Sequence, residues 1–136
     1  MPSYRFRHAA ELLGVSDDTI RRWVDAGKLT ASVDASGRQV VEGAELAAFA
    51  QHFAEAQPGP LGAPHSSSAR NRFTGLVTRV VRDAVMAQVD IQAGPFRVVS
   101  LMSREAADEL QLEPGVLAVA SIKATNVSVE LPGGQR

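Results

Sequence analysis

From Phe6 onward the apolar residues Phe6, Ala9, Ala10 and Leu13 recur at i, i+3, i+4 and i+7. That is the stripe of an amphipathic helix, and Gly14 is placed to end it. A second helix is predicted to start almost at once. Ser16 suits the N-cap, Asp17 and Asp18 suit the positive end of the helix dipole, and Val15 with Ile20 can form a hydrophobic staple. Thr19 stands where a complete capping box would have Glu or Gln. Ile20, Trp23 and Val24 form the buried stripe, with Gly27 at its C-terminal end. Lys28 to Val41 alternates around Ala35-Ser36-Gly37, which predicts a hairpin with Arg38 near its tip. Leu46, Phe49, Ala50 and Phe53 give a third helix.

The period changes in the second half. Ala84 to Gln92 alternates with Val85, Ala87, Val89 and Ile91 on one face and Met86, Gln88, Asp90 and Gln92 on the other. Further strands are predicted over Phe73–Val81, Phe96–Met102, Val116–Ile122 and Val127–Leu131, with Gly75 marking a bulge or tight bend. Ser103 to Leu110 reads as a short helix capped by Ser103. Five short strands and one helix suggest a small closed barrel of the OB type. Between the halves, Pro58 to Pro64 reads PGPLGAP and is followed by HSSS, through which neither helix nor central strand can continue. The expected organisation is a domain over 1–56, a linker over 57–67 spanning about 20 Å if flexible, and a second domain over 68–136. Each domain is near the lower size limit for a stable core, so oligomerisation is expected.

Composition narrows the function. With 45% hydrophobic residues the chain can pack cores, and with no cysteine it has neither disulfides nor thiolate metal sites. No stretch reads as a secretory signal or a membrane span, so a cytoplasmic protein is expected. The net charge is −1; residues 1–57 carry six Lys/Arg against eight Asp/Glu, and residues 68–136 eight against seven. Bulk charge therefore gives no argument for nucleic-acid binding, which must rest on where the arginines sit.

They sit well. On the second helix Asp18, Arg22 and Asp25 lie opposite the buried stripe, with Arg21 beside them. Such a face can be an ordinary solvated one, but arginine is also suited to gripping a guanine edge or a phosphate. Helix, tight turn, helix, hairpin, helix is the order of a mostly-α winged helix-turn-helix. The stretch AAELLGVSDDTIRRWVDAGKL, with VVEGAELAAF after the hairpin, resembles the MerR/excisionase type of DNA-binding domain over about Tyr4 to Phe53. The resemblance implies that Ser16, Thr19, Arg21 and Arg22 approach DNA from the second helix and Arg38 from the wing.

Three pieces of the second half carry another resemblance: Ser68-Ala69-Arg70-Asn71, Ser100-Leu101-Met102-Ser103, and Ile122-Lys123-Ala124-Thr125-Asn126-Val127. Together with Leu110-x-Leu112-x-x-Gly115 they resemble the molybdate-binding Mop domain, also called TOBE. The implied oxyanion-binding residues are Ser68, Ala69, Arg70, Asn71, Ser100, Ser103, Lys123, Ala124 and Thr125. Ser100 stands where the family often has Thr, which keeps the hydroxyl. Asp83-Ala84-Val85-Met86 stands where Gly-Ala-Val-Asn is common, which counts against a second anion site near Val85. The chemistry is consistent: a doubly charged tetrahedral oxyanion needs hydroxyls, backbone N–H groups and one or two cations around it, and these residues supply them.

His8, His52 and His65 are scattered without ligand spacing, so no metal site is expected beyond molybdenum as its oxyanion. No phosphate loop, nucleophile elbow or carboxylate pair appears, so no catalytic residue and no enzyme is expected. The expected protein is a transcriptional regulator binding molybdate or tungstate and double-stranded DNA, on a palindromic operator, as a homo-oligomer with anion sites between subunits. Genes for molybdate uptake or the molybdenum cofactor are the targets the resemblance implies. The alternative is an intracellular molybdate store.

Overall fold

The computed structural model describes residues 2–56 and 68–133. The expected linker lies outside these residues. The chain divides into two compact units, Met1–Pro58 and Gly59–Arg136.

The first unit runs β1 (Ser3–Arg5), α1 (Phe6–Leu13), α2 (Asp17–Asp25), β2 (Ala31–Val33), β3 (Gln39–Glu42) and α3 (Gly43–Glu55). α1 stops where expected, because Gly14 takes a left-handed conformation (φ +71°) and turns its N–H back to the Ala10 and Glu11 carbonyls. α2 starts on Ser16, whose hydroxyl accepts the Thr19 N–H. The strands form an antiparallel sheet in the order β1-β3-β2, with Tyr4 opposite Val41 and Ser32 opposite Val40. β1 is too short to show an alternation in the sequence; it exists because β3 offers it an edge. Phe6, Ala9, Ala10, Ile20, Leu29, Val41 and Leu46 form the core. Trp23, Phe49 and Phe53 pack beside it, with the Trp23–Phe49 ring centroids 4.8 Å apart.

The second unit contains β4 (Asn71–Arg82), β5 (Met86–Ala93), β6 (Phe96–Ser103), α4 (Arg104–Glu109), β7 (Leu117–Ile122) and a 3-10 turn at Ala124–Asn126. The four strands make one antiparallel sheet in the order β6-β5-β4-β7, curled into an OB-like half-barrel around Val77, Ala87, Val89, Ile91, Ala107 and Leu112. Gly75 marks a close approach, not the bulge itself. A Cβ there would collide with the Gln92 carbonyl oxygen and lie 2.9 Å from the Ala93 Cα. The register slips just after it, between Val77 and Arg79, leaving Thr78 as the extra residue.

Two expectations change. The strand predicted from Ala84 begins at Met86, because Asp83 accepts the Val85 and Met86 N–H groups and holds the preceding residues in a turn. The fifth strand, predicted over Val127–Leu131, does not form among the described residues. The 3-10 turn carries the chain off the end of β7, and no backbone hydrogen bond joins 128–131 to the sheet. Alternation in a sequence reports which side chains share a face; a strand also needs a ladder partner. Among the described residues the half-barrel therefore keeps two open edges, β6 and β7, which line opposite walls of a cavity of about 520 Å³.

Candidate functional site

In the first unit the polar residues of α2 form a chain of contacts along one exposed face. Ser16 Oγ and Thr19 Oγ1 are 3.0 Å apart, and Arg22 Nη2 donates to Thr19 Oγ1 at 3.0 Å. Each partner is one helical turn from the next, so the Ser16 cap that starts the helix also fixes the first contact of a ladder ending on the Arg22 guanidinium. Arg21 is held more loosely, 3.5 Å from Asp18 and largely exposed. An exposed pair of this kind contributes little.

Arg38 is exposed in the turn between β2 and β3, and its backbone N–H donates to Asp34 Oδ1. The same oxygen accepts the Ser36 N–H, the Asp34 N–H returns to the Arg38 carbonyl at 2.9 Å, and Gly37 sits at φ +80°. The bonds from Arg38 and Ser36 hold the Asp34 carboxyl below the ordinary aspartate range. Asp34 therefore builds this turn, a role the reading centred on Ala35-Ser36-Gly37 missed. The signal was an Asp followed by small residues and a glycine, where a side chain bonds its own backbone two residues on.

In the second unit the sheet register sorts the oxyanion residues. Asn71 lies opposite Ile122, and its Nδ2 donates to the Ile122 carbonyl at 3.1 Å. Residues 68–71 and 123–125 therefore meet at one end of the β4–β7 pair, fifty residues apart in sequence. Ser68, Arg70, Lys123, Ala124 and Thr125 are exposed there, Ala69 and Asn71 half-buried. Ser100 is elsewhere, opposite Val89 on β6, and lines the cavity across from Ser121 and Ile122. No hydrogen bond joins Ser100 to Asn71 or Lys123 among the described residues.

Ser103 caps α4, accepting the Ala106 N–H at 3.0 Å, and lines a different cavity with Ala84, Val85 and Arg104. α4 is anchored by Arg82, which donates to Asp108 Oδ1 and the Leu112 carbonyl, both at 2.9 Å. Glu105, Asp108 and Glu109 complete that second lining. Three carboxylates against one guanidinium make it unfavourable for an anion. No cluster of His, Asp and Glu suited to a metal cation occurs among the described residues. No described helix is long and apolar enough to cross a membrane.

The family models agree with this division. Residues 3–52 match the helix-turn-helix domain and residues 67–129 match the TOBE domain. No curated protein sequence matches the chain. Among solved structures, a molybdate-binding protein from Sporomusa ovata is 27% identical, over 49% of this chain and 100% of its own, with a TM-score of 0.48. MopII from Clostridium pasteurianum is 31% identical over 48% of this chain and 100% of its own, with a TM-score of 0.46. The cytoplasmic molybdate-binding protein ModG, with molybdate bound, is 39% identical over 50% of this chain, with a TM-score of 0.48; the match spans 49% of ModG. The chain thus carries a helix-turn-helix domain at its N-terminal end and a domain of the TOBE family after it.

Proposed function

We propose that this protein is a cytoplasmic, one-component transcriptional regulator that binds molybdate or tungstate through its second unit and DNA through its first. The observation that carries the anion half is the Asn71–Ile122 pairing. It sets Ser68, Arg70 and Asn71 beside Lys123, Ala124 and Thr125, giving hydroxyls, amide groups and two cations at one place. Ser100 belongs to the site from the other wall; Ser103, at the start of α4 among three carboxylates, stands apart from it. Because β5 separates Ser100 on β6 from Asn71 on β4 in the sheet, the complete site is assigned to the junction between copies of the chain. The DNA half rests on the exposed Ser16–Thr19–Arg22 ladder, with the β2–β3 hairpin acting as a wing that brings Arg38 to a phosphate. A palindromic operator, near genes for molybdate uptake or molybdenum-cofactor synthesis, fits a homo-oligomeric reader.

Calorimetry tests the anion half. Molybdate and tungstate are expected to bind more tightly than sulfate, and Arg70→Ala or Lys123→Ala to weaken binding by about 1.5–3 kcal/mol, the range for a hydrogen bond to a charged group. Equal affinity for sulfate, or unchanged binding by both variants, overturns it.

A further inference from the structure

The cations of the second unit are not spread evenly among its carboxylates. Arg82 and Arg104 reach Asp108, Arg97 bonds Asp90, and Arg79 lies opposite Asp90 in the β4–β5 register. At the free end of the β4–β7 pair the picture changes. No Asp or Glu occurs over 68–82 or over 114–129, and Arg70, Arg72 and Lys123 gather at that end. Arg72 is half-buried opposite Ser121, and among the described residues its guanidinium makes no hydrogen bond or ion pair. We infer that Arg72 is a third cation of the anion site, the one that makes it choose a doubly charged oxyanion over a singly charged one.

The register places it. Asn71 pairs with Ile122 and Arg72 with Ser121, so Arg72 and Ser121 share one face of the strand pair. Ala120, opposite Phe73, packs against the core, and Arg72 and Ser121 therefore face away from it. The period of two carries their face on to Arg70, two residues before Arg72. It also carries it to Lys123, two residues after Ser121 and still extended at φ −65° and ψ 142°. Three cations thus stand on one face, at the place where 68–71 and 123–125 meet.

Like charges gathered without a carboxylate repel one another, an arrangement that folding alone does not call for and that a bound dianion relieves. Arg70 and Lys123 together match the two charges of molybdate or tungstate. A third cation beside them acts through charge: its attraction scales with the charge on the anion, so a dianion gains about twice what a monoanion of the same shape gains. Because Arg72 is half-buried, salt screens that attraction less than it would at an open surface. The inference rests on the anion reading above and adds to it the residue that sets charge selectivity.

Calorimetry on the full-length chain at neutral pH provides the test, with tungstate titrated directly and perrhenate as its competitor. Both are tetrahedral oxyanions of closely similar size, the first doubly and the second singly charged. Arg72→Gln is expected to weaken tungstate about tenfold, the lower end of the range for a hydrogen bond to a charged group. Perrhenate should weaken only about threefold, so the ratio of the two affinities falls. Arg72→Lys, which keeps the charge, is expected to keep the wild-type ratio. A variant that is partly unfolded lowers both affinities without moving the ratio. Unchanged tungstate affinity in Arg72→Gln, equal loss of both anions, or a ratio that Arg72→Lys does not preserve each overturns the inference and leaves the anion site standing. A wild-type chain that binds neither anion overturns the anion reading itself, and this inference with it.

Discussion

Arg22 and Arg38 are both exposed, but they are held differently, and the difference sets what each can do. Arg22 hangs from Thr19, which is tied to Ser16, so its guanidinium is oriented before any duplex arrives. Orientation is what a base contact needs. Arg38 is fixed only through its backbone, in the turn that Asp34 builds, and its side chain offers charge more than geometry. Arg22→Ala should therefore cost about 1–3 kcal/mol on operator DNA and relax preference at one base pair. Arg38→Ala should weaken operator and scrambled duplex alike and lower the salt dependence by about one unit of slope. Titrations of both duplexes at two salt concentrations separate the outcomes. A uniform loss in Arg22→Ala would make it a phosphate contact, and unchanged affinity in both variants would remove this face from the interface. The arginines themselves were legible in the sequence; the ladder that holds Arg22 was not, since spacing alone does not say which neighbour a guanidinium will choose.

At the scale of elements, the three helices of the first unit could be read because their apolar spacing and caps are local properties. β1 could not, because three residues have no period and only the edge of β3 makes them a strand. The fifth strand fails for the opposite reason: its pattern is clear, but it finds no ladder partner among the described residues. Asp90 shows a third kind of gap. Alternation put it on the polar face of β5, yet it is buried, accepting from Gln88 at 3.1 Å and from Arg97 on β6 at 2.8 Å. The Gln88 bond first, then the Arg97 bond and the nearby Arg97 and Arg79 charges, hold its carboxyl below the ordinary value of 3.8. A carboxylate with a depressed folded pKa stabilises the fold above its ordinary value, and that stabilisation is lost as pH falls through the lowered one. Asp90→Asn is therefore expected to lower thermal stability at neutral pH and to flatten the acid limb of the stability profile below pH 3.8. Parallel acid limbs in the two proteins would show that the β5–β6 pair does not depend on this charge.

For the whole molecule the sequence showed two domains through a change of period and a Pro/Gly/Ser-rich stretch between them. Register showed what spacing could not, that residues 68–71 and 123–125 meet at the Asn71–Ile122 pair while Ser100 stands on another strand. A first unit with six basic against eight acidic residues over 1–57 neutralises few phosphates by itself. Two copies on a palindromic site double the contacts and fix their spacing. On the proposed function, an anion held between copies would act on DNA by favouring one oligomeric arrangement, with an expected coupling of about 1–3 kcal/mol. Linkage makes that coupling reciprocal. The direct measurement is a pair of titrations on one preparation: operator affinity with and without molybdate, and molybdate affinity with and without operator. The account predicts that both affinities change by the same factor and in the same direction. Molybdate saturating the protein while operator affinity and subunit number stay fixed would contradict it, and would make the second unit a store of the anion.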